Sequence, residues 1–371
     1  MKNQKILSPD NNYLSLDKYF LEQNVKQLLL ICGKFISSLK IGAYFKNLNK
    51  RMGITVVQFD DFLSNPTYED VIKAVHTFQK KPYEMIVAVG GGSAIDLAKC
   101  VKLFSKIKDG NYLQQNFQPV NIPLLAIPTT AGTGSEATKY AVIYYQGVKQ
   151  SITDNNCIPN AVLLDASLLN TLPIYQRKST LMDAFCHALE SFWSINSTRE
   201  SKIYSQKALK LILKYGEGYL KNQDLDNSQI LIASNLSGKA INITQTTAGH
   251  ALCYKLTSMF GLSHGHAAAI CVLEVWKYMS KNLNNCIDIR GQDYLKNILV
   301  EIAKIMSCQG IAESLNFFEQ ILKNLELEFK IYPDDSKMKE LVSSVNTERL
   351  KNTPVYLSKK DIYNIYSNIL K

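Results

Sequence analysis

MIVAVGGGSAIDLAKCVKLF, residues 85–104, runs from a short apolar stretch through three glycines into helical spacing. An unbroken apolar run of that length, Met85–Val89, closed by glycine, is read as a strand buried on both faces, as in parallel sheets. Gly90-Gly91-Gly92-Ser93 then leads directly into a helix predicted over Ala94–Phe104. Glycines let a backbone approach a diphosphate, and the N–H groups and dipole at a helix start attract anions. The run is neither G-x-G-x-x-G nor a Walker A loop, because no Gly-Lys-Ser/Thr follows. A plain tight turn uses the same residues, so the argument rests on placement between a buried strand and an amphipathic helix. Asp96 and Lys99 fall in the first turns of that helix. They are placed either to orient a nucleotide or to complement the dipole and solvate the surface.

Upstream, Gln27–Cys32 (QLLLIC) and Ile54–Phe59 (ITVVQF) are strand candidates, and Tyr68–Lys80 has helical spacing. Downstream, Leu124–Ile127 is another strand, stopped by Pro128. Short strands alternating with helices predict a parallel α/β layer. A second polar loop follows that strand: Pro128-Thr129-Thr130-Ala131-Gly132-Thr133-Gly134-Ser135-Glu136. It offers hydroxyls and bare backbone to a sugar or amide, although an ordinary Gly/Thr-rich connection has the same composition. Two such loops on one sheet edge suggest a dinucleotide in the cleft where open α/β sheets bind ligands. After about Asp165 the texture changes to long helical patterns at Lys178–Ser194, Glu200–Tyr215, Gln229–Thr244 and Leu295–Met306. The expected organisation is an α/β dinucleotide-binding domain over 1–165 and a largely helical domain over 166–371.

Four of the five histidines lie between 187 and 266, and three of them join Asp183 in a spacing a divalent ion can use. Asp183 and His187, at i and i+4 of a helix, share a face with Cβ atoms roughly 5–6 Å apart. His250 and His264 follow. Carboxylate oxygen and neutral imidazole nitrogen are ligands that Fe(II) or Zn(II) accepts at about 2.0–2.2 Å. Scattered core or surface histidines are the competing reading, which scarcity and clustering disfavour. His266 is placed beside the ligands rather than among them, and His76 on a polar helix face is structural.

The hydrophobic share of 46% and charged share of 20% are those of a globular protein. Eight cysteines are dispersed without a C-x-x-C pair, several in apolar stretches, and read as reduced core thiols. Residues 1–20 are polar and lack an apolar core, which predicts no secretory signal and a cytoplasmic location. No apolar run approaches the roughly 20 residues that span a bilayer. The net charge of +10 is mostly lysine spread along the chain, with no basic block interleaved with aromatics. That distribution argues against a nucleic-acid partner, while a local cluster would favour an anionic substrate.

Several motifs taken together resemble the metal-dependent, iron-containing (group III) alcohol dehydrogenase family of the dehydroquinate-synthase-like fold. They are Asn65-Pro66, Gly90-Gly91-Gly92-Ser93-x-x-Asp96-x-x-Lys99, the loop from Pro128 to Glu136, Asp183-x3-His187-x-x-Glu190, and His250-x13-His264-Gly265. The resemblance runs nearly end to end. It implies an N-terminal α/β dinucleotide-binding domain, an all-helical C-terminal metal-binding domain, and a homo-oligomer, expected as a dimer. It also implies NAD(P) and one divalent metal, Fe(II) or Zn(II), as cofactors. Asp183, His187, His250 and His264 would be the metal ligands. Gly91, Gly92 and Ser93 would hold the diphosphate, with Asp96 near the nicotinamide amide. Thr129, Thr130, Thr133 and Ser135 would line the nucleotide, and Lys149 would lie near its ribose.

Two departures from that family matter. Many members carry a histidine four residues after the third ligand, where this chain has Tyr254, a catalytic candidate for proton relay. A phenol with a reference pKa of about 10 is a poorer shuttle at neutral pH than imidazole. Many NAD-preferring members also have an acidic residue after the first strand, where this chain has Gly33-Lys34. That change admits a 2′-phosphate, so NADPH is expected alongside NADH. Segments 136–144, 183–194, 196–198, 238–244 and 254–258 are most similar to phosphonoacetaldehyde reductases, which implies an aldehyde beside a phosphonate dianion. Lys139, Arg199, Lys239 and Lys255 lie in or beside those segments as candidate anion contacts, and each is equally an ordinary solvated cation. Another short aldehyde or alcohol, such as succinic semialdehyde, lactaldehyde or a simple aldehyde, is the alternative substrate. A dehydroquinate-synthase-type lyase is the alternative reaction.

Overall fold

The computed structural model describes residues 4–108, 110–117, 121–331 and 333–370. The chain divides into two compact units, 1–130 with 134–172, and 131–133 with 173–371. The first is built on strands β1 (Lys5–Leu7), β2 (Gln27–Cys32), β3 (Thr55–Phe59), β4 (Met85–Gly90), β5 (Leu124–Pro128), β6 (Tyr140–Tyr145), β7 (Val148–Thr153) and β8 (Ala161–Leu163). Six form one sheet in the order β1-β8-β5-β4-β2-β3, and every pairing in it is parallel.

Burial explains why these strands carry no polar alternation. Leu29, Ile31, Ile86, Ala88, Leu124 and Ala126 enter one buried cluster. Leu28, Leu30, Met85, Val87, Val89, Leu125 and Ile127 enter another. Successive side chains point to opposite faces, and both faces are covered, so these positions of β2, β4 and β5 are all apolar.

β6 and β7 form a separate antiparallel hairpin that the sequence reading did not identify. Its turn, Gln146-Gly147, has positive φ at both residues (50° and 74°), the handedness favoured in two-residue hairpins. Gln stands where Asn or Asp is the usual signal, so the sequence carries no strong mark of the turn. The helix after the glycines covers Gly92–Phe104, two residues earlier than expected.

The second unit is helical. The Ile174–Trp193 helix packs against Arg199–Leu220, Asp224–Thr244 and His264–Lys281. From Leu181 to Trp193 all of its side chains are buried, which makes it the core of the unit. No helix among the described residues is long and apolar enough to cross a membrane.

Candidate metal and nucleotide site

Asp183, His187 and Glu190 recur at i, i+4 and i+7 of the central helix and share one face. His250 lies in the first turn of the Ala248–Phe260 helix, and His264 opens the His264–Lys281 helix. The three imidazoles meet at a single atom. Asp183 Oδ1 is 3.4 Å from His250 Nε2 and 3.9 Å from both His187 Nε2 and His264 Nε2. Ligating atoms of Asp183, His187 and His250 all lie within 4.8 Å of one another, and these three residues are buried. The His264 side chain is 37% exposed and forms the solvent-facing wall.

Two glycines permit this convergence. A Cβ on Gly265 would fall 2.0 Å from the Ser179 carbonyl oxygen and 2.8 Å from Asp183 Cβ. One on Gly249 would fall 2.3 Å from Val272 Cγ2 and 2.9 Å from Glu190 Oε1. Each glycine adjoins a histidine of the cluster, so backbone contact sets the distance between the helices.

Electrostatics suits a cation. Burial pushes the Asp183 carboxyl up, but His187, His250 and His264 outweigh it and hold the group well below the usual carboxylate range. Burial drives His187 down to about 4 against the pull of Asp183, leaving it the neutral imidazole that metals bind. Burial acts on His250 as well, but Glu190 and Asp183 raise it above its ordinary value. Glu190 Oε2 pairs directly with His250 Nδ1. Its Oε1 accepts from the Thr247 hydroxyl at 2.6 Å and the Thr247 N–H at 3.2 Å. Trp193 Nε1 donates to that same hydroxyl at 3.0 Å. A carboxylate on Nδ1 turns Nε2 toward Asp183, the orienting arrangement expected behind a metal-bound histidine. One carboxylate and three imidazoles therefore fit a divalent ion.

In the first unit, the glycine loop and the threonine loop leave adjacent strands, since Gly90 pairs with Pro128 across β4 and β5. No side chain caps the Gly92–Phe104 helix, which leaves its first N–H groups to an anion. Ser93 Oγ accepts from Asn65 N–H at 3.1 Å. Asp96 and Lys99 do not solvate the surface: Lys99 is fully buried. Lys99 Nζ donates to Ser135 Oγ (2.9 Å), Thr138 Oγ1 (3.1 Å) and the Tyr140 carbonyl (2.5 Å). Asp96 accepts from Ser135 Oγ at 2.5 Å and Val142 N–H at 3.0 Å. The pair stitches the helix to the second loop and to β6, because buried charges demand such partners. Thr129 is buried, Thr130 half-buried, and Lys149 stands in β7 opposite Tyr144. Thr133 groups with the helical unit.

Comparison with known proteins decides what this arrangement belongs to. The family model "Iron-containing alcohol dehydrogenase" matches residues 3–166, and "Fe-containing alcohol dehydrogenase family, C-terminal" matches 178–370. The chain belongs to the iron-containing alcohol dehydrogenase family. Among relatives of this alcohol dehydrogenase family member, alcohol dehydrogenase 4 of Schizosaccharomyces pombe is 30% identical over 254 residues, 66% of this chain and 60% of that enzyme. The phosphonoacetaldehyde reductase of Streptomyces viridochromogenes is 29% identical over 265 residues, covering 67% of this chain and 66% of the relative. An iron-containing alcohol dehydrogenase structure from Thermotoga maritima superposes with a TM-score of 0.84 at 26% identity, covering 100% of this chain and 98% of the other. Membership places the chain among oxidoreductases, with the parallel-sheet and helical units of that fold.

In this family member, Tyr254 stands against the cluster: its ring stacks on His264 with centroids 5.7 Å apart and 5° between planes. Its hydroxyl is bonded to Arg349 Nη1. The candidate anion contacts scatter. Lys255 is paired with Glu340 at 2.5 Å, and Lys139 sits over the Tyr140 ring in the first unit. Arg199 lines a surface cavity of about 400 Å3 with Lys202 and Tyr294, and no cluster residue lines it. Lys239 is half-buried on the Asp224–Thr244 helix. His266 is buried, its Nε2 2.9 Å from the Leu327 carbonyl and its Nδ1 3.1 Å from the Tyr175 hydroxyl.

Sequence reasoning gave no role to two residues beside the cluster. Glu190 was visible as part of a motif, and its place at i+7 from Asp183 could have signalled its role. Arg349 meets Tyr254 across 95 positions of sequence, and no local pattern marks it.

Proposed function

We propose that this family member is a metal-dependent, NAD(P)H-linked aldehyde reductase that reduces phosphonoacetaldehyde to 2-hydroxyethylphosphonate. The observation carrying the reading is the convergence of three imidazole nitrogens within 4 Å of Asp183 Oδ1. Asp183, His187, His250 and His264 would hold the metal. Gly91, Gly92 and Ser93 would receive the diphosphate at the uncapped helix start, with Asp96, Thr129, Thr130, Thr133, Ser135 and Lys149 along the nucleotide. When bound, the metal supplies Lewis acidity at a carbonyl oxygen and the reduced nicotinamide supplies hydride.

The chain's own residues do the rest. Glu190 keeps His250 oriented, so the cluster is pre-organised and needs no rearrangement to bind an ion. Burial holds the Tyr254 phenol above its ordinary value, with Arg349 pulling the other way. The phenol is therefore protonated at neutral pH and able to donate the proton that turns the former carbonyl oxygen into the alcohol's hydroxyl. Lys34 is exposed just past β2, whose neighbour β4 ends in the glycine loop, which supports use of NADPH as well as NADH. The phosphonate follows from likeness to the Streptomyces enzyme, at 29% identity, and the chain is about equally similar to a 1-propanol dehydrogenase (29%) and an NADPH-dependent butanol dehydrogenase (28%).

The test is one screen. Protein reconstituted with Fe(II) or Zn(II) is given NADH or NADPH with phosphonoacetaldehyde, succinic semialdehyde, lactaldehyde and propanal. The expected result is a kcat/KM for phosphonoacetaldehyde above all three comparators. A higher value for any of them removes the phosphonate reading and leaves the reductase. Absence of turnover with every aldehyde removes both.

A further inference from the structure

Arg349 is a half-buried residue of the short Thr347–Leu350 helix. Its guanidinium carbon lies 5.0 Å from the centre of the Tyr254 ring, and Nη1 donates to the Tyr254 hydroxyl. Tyr254 in turn stacks on His264, whose Nε2 faces Asp183. One aromatic ring therefore separates this guanidinium from the metal cluster. Among the described residues no carboxylate pairs with Arg349, although its neighbours are neutralised: Glu348 holds Lys351 at 2.7 Å, and Lys255 holds Glu340. A guanidinium has five N–H donors in a rigid fork that matches phosphonate or carboxylate, and its hydrogen bond to Tyr254 occupies one.

The segment is held firmly in place. Thr353 Oγ1 accepts the Ala248 N–H at 2.9 Å, at the start of the helix that carries His250. Asn352 donates to Gln245 Oε1 at 2.9 Å and to the Thr246 carbonyl at 3.2 Å, and accepts from Asn196 at 2.9 Å. The segment that follows Arg349 is thus tied into the same framework as the candidate ligands, and the guanidinium itself is held by Tyr254.

We propose that Arg349 is the specificity-determining residue that binds the anionic group of the substrate, held beside the metal cluster by the face and hydroxyl of Tyr254. This rests on the reductase reading above and deepens it. The substrate class is a short aldehyde with a dianionic or monoanionic group one carbon from the carbonyl. Tyr254 then has two parts, as the platform for the cation and as the proton donor. A competing role, in which Arg349 only tunes the phenol, would affect charged and neutral aldehydes alike.

The experiment compares wild type, Arg349→Met and Arg349→Lys, each zinc-loaded, on phosphonoacetaldehyde and propanal. Arg349→Met is expected to lower kcat/KM for phosphonoacetaldehyde about 10- to 100-fold more than for propanal, mostly through KM, as loss of a charged hydrogen-bonding partner does. Arg349→Lys recovers part of the difference. A separate readout is the Kd of ethylphosphonate for the NAD+-saturated enzyme by calorimetry, expected to weaken by a similar factor in Arg349→Met. Equal losses on both aldehydes, or unchanged ethylphosphonate affinity, overturn the assignment while wild-type preference for the phosphonate still stands. A wild type with no such preference overturns the substrate reading itself, and the assignment falls with it.

Discussion

Glu190 shows how much a single side chain can matter without touching a ligand. It is fully buried, yet its charge is spent on His250 and on the Thr247 N–H and hydroxyl. Glu190→Gln keeps the shape but removes the charge that fixes which nitrogen of His250 carries the proton. Metal affinity is expected to fall roughly 10- to 100-fold, measured by competition with a chromogenic chelator. Unchanged affinity would mean that His250 is oriented by packing alone. The spacing of Asp183, His187 and Glu190 was readable because an i, i+4, i+7 series needs only a helix. Arg349 was not, since it reaches Tyr254 by tertiary packing alone.

The elements that carry the histidines meet because small residues sit at the crossings. Gly265 lets the start of the His264–Lys281 helix rest on Ser179 and Asp183. Gly265→Ala forces a methyl into a carbonyl oxygen of the central helix, which must shift. The expected cost is about 1–3 kcal/mol of stability, as for other overpacked sites. Lower metal occupancy should accompany it, because His264 moves with its helix. Denaturant titration and metal analysis of the purified variant check both, and a wild-type midpoint with full occupancy would refute the argument. The Gly92–Phe104 helix teaches a different lesson. Its apolar face and glycine start were legible, but the spacing left Lys99 either orienting a nucleotide or solvating the surface, and it is buried. Sequence spacing alone could not show the Ser135, Thr138 and Tyr140 oxygens that make burial of its charge tolerable.

For the whole molecule, the metal is expected to stabilise the helical unit, because its four candidate ligands come from three helices of that unit. An ion that binds only the folded form at a thousandfold excess over its Kd adds about 4 kcal/mol. For a unit of this size each kcal/mol moves the midpoint by roughly 2–4 °C. Removing the ion with EDTA should therefore lower the melting midpoint by on the order of 10 °C, and added Zn(II) should restore it. A melting curve indifferent to both would show that the cluster closes without an ion.

The α/β character of the first half was written in its runs of residues, because a strand covered on both faces has to be apolar at every position. The helical second half was equally legible from its periodicity, and so were the residue types of the candidate metal cluster, since few side chains bind such ions. The β6–β7 hairpin was obscured by a turn that uses Gln-Gly. The meeting of His250 and His264 at one oxygen of Asp183, the buried Lys99 and the guanidinium on Tyr254 depend on how distant backbones approach each other. Packing sets those distances, and no local pattern of residues encodes them.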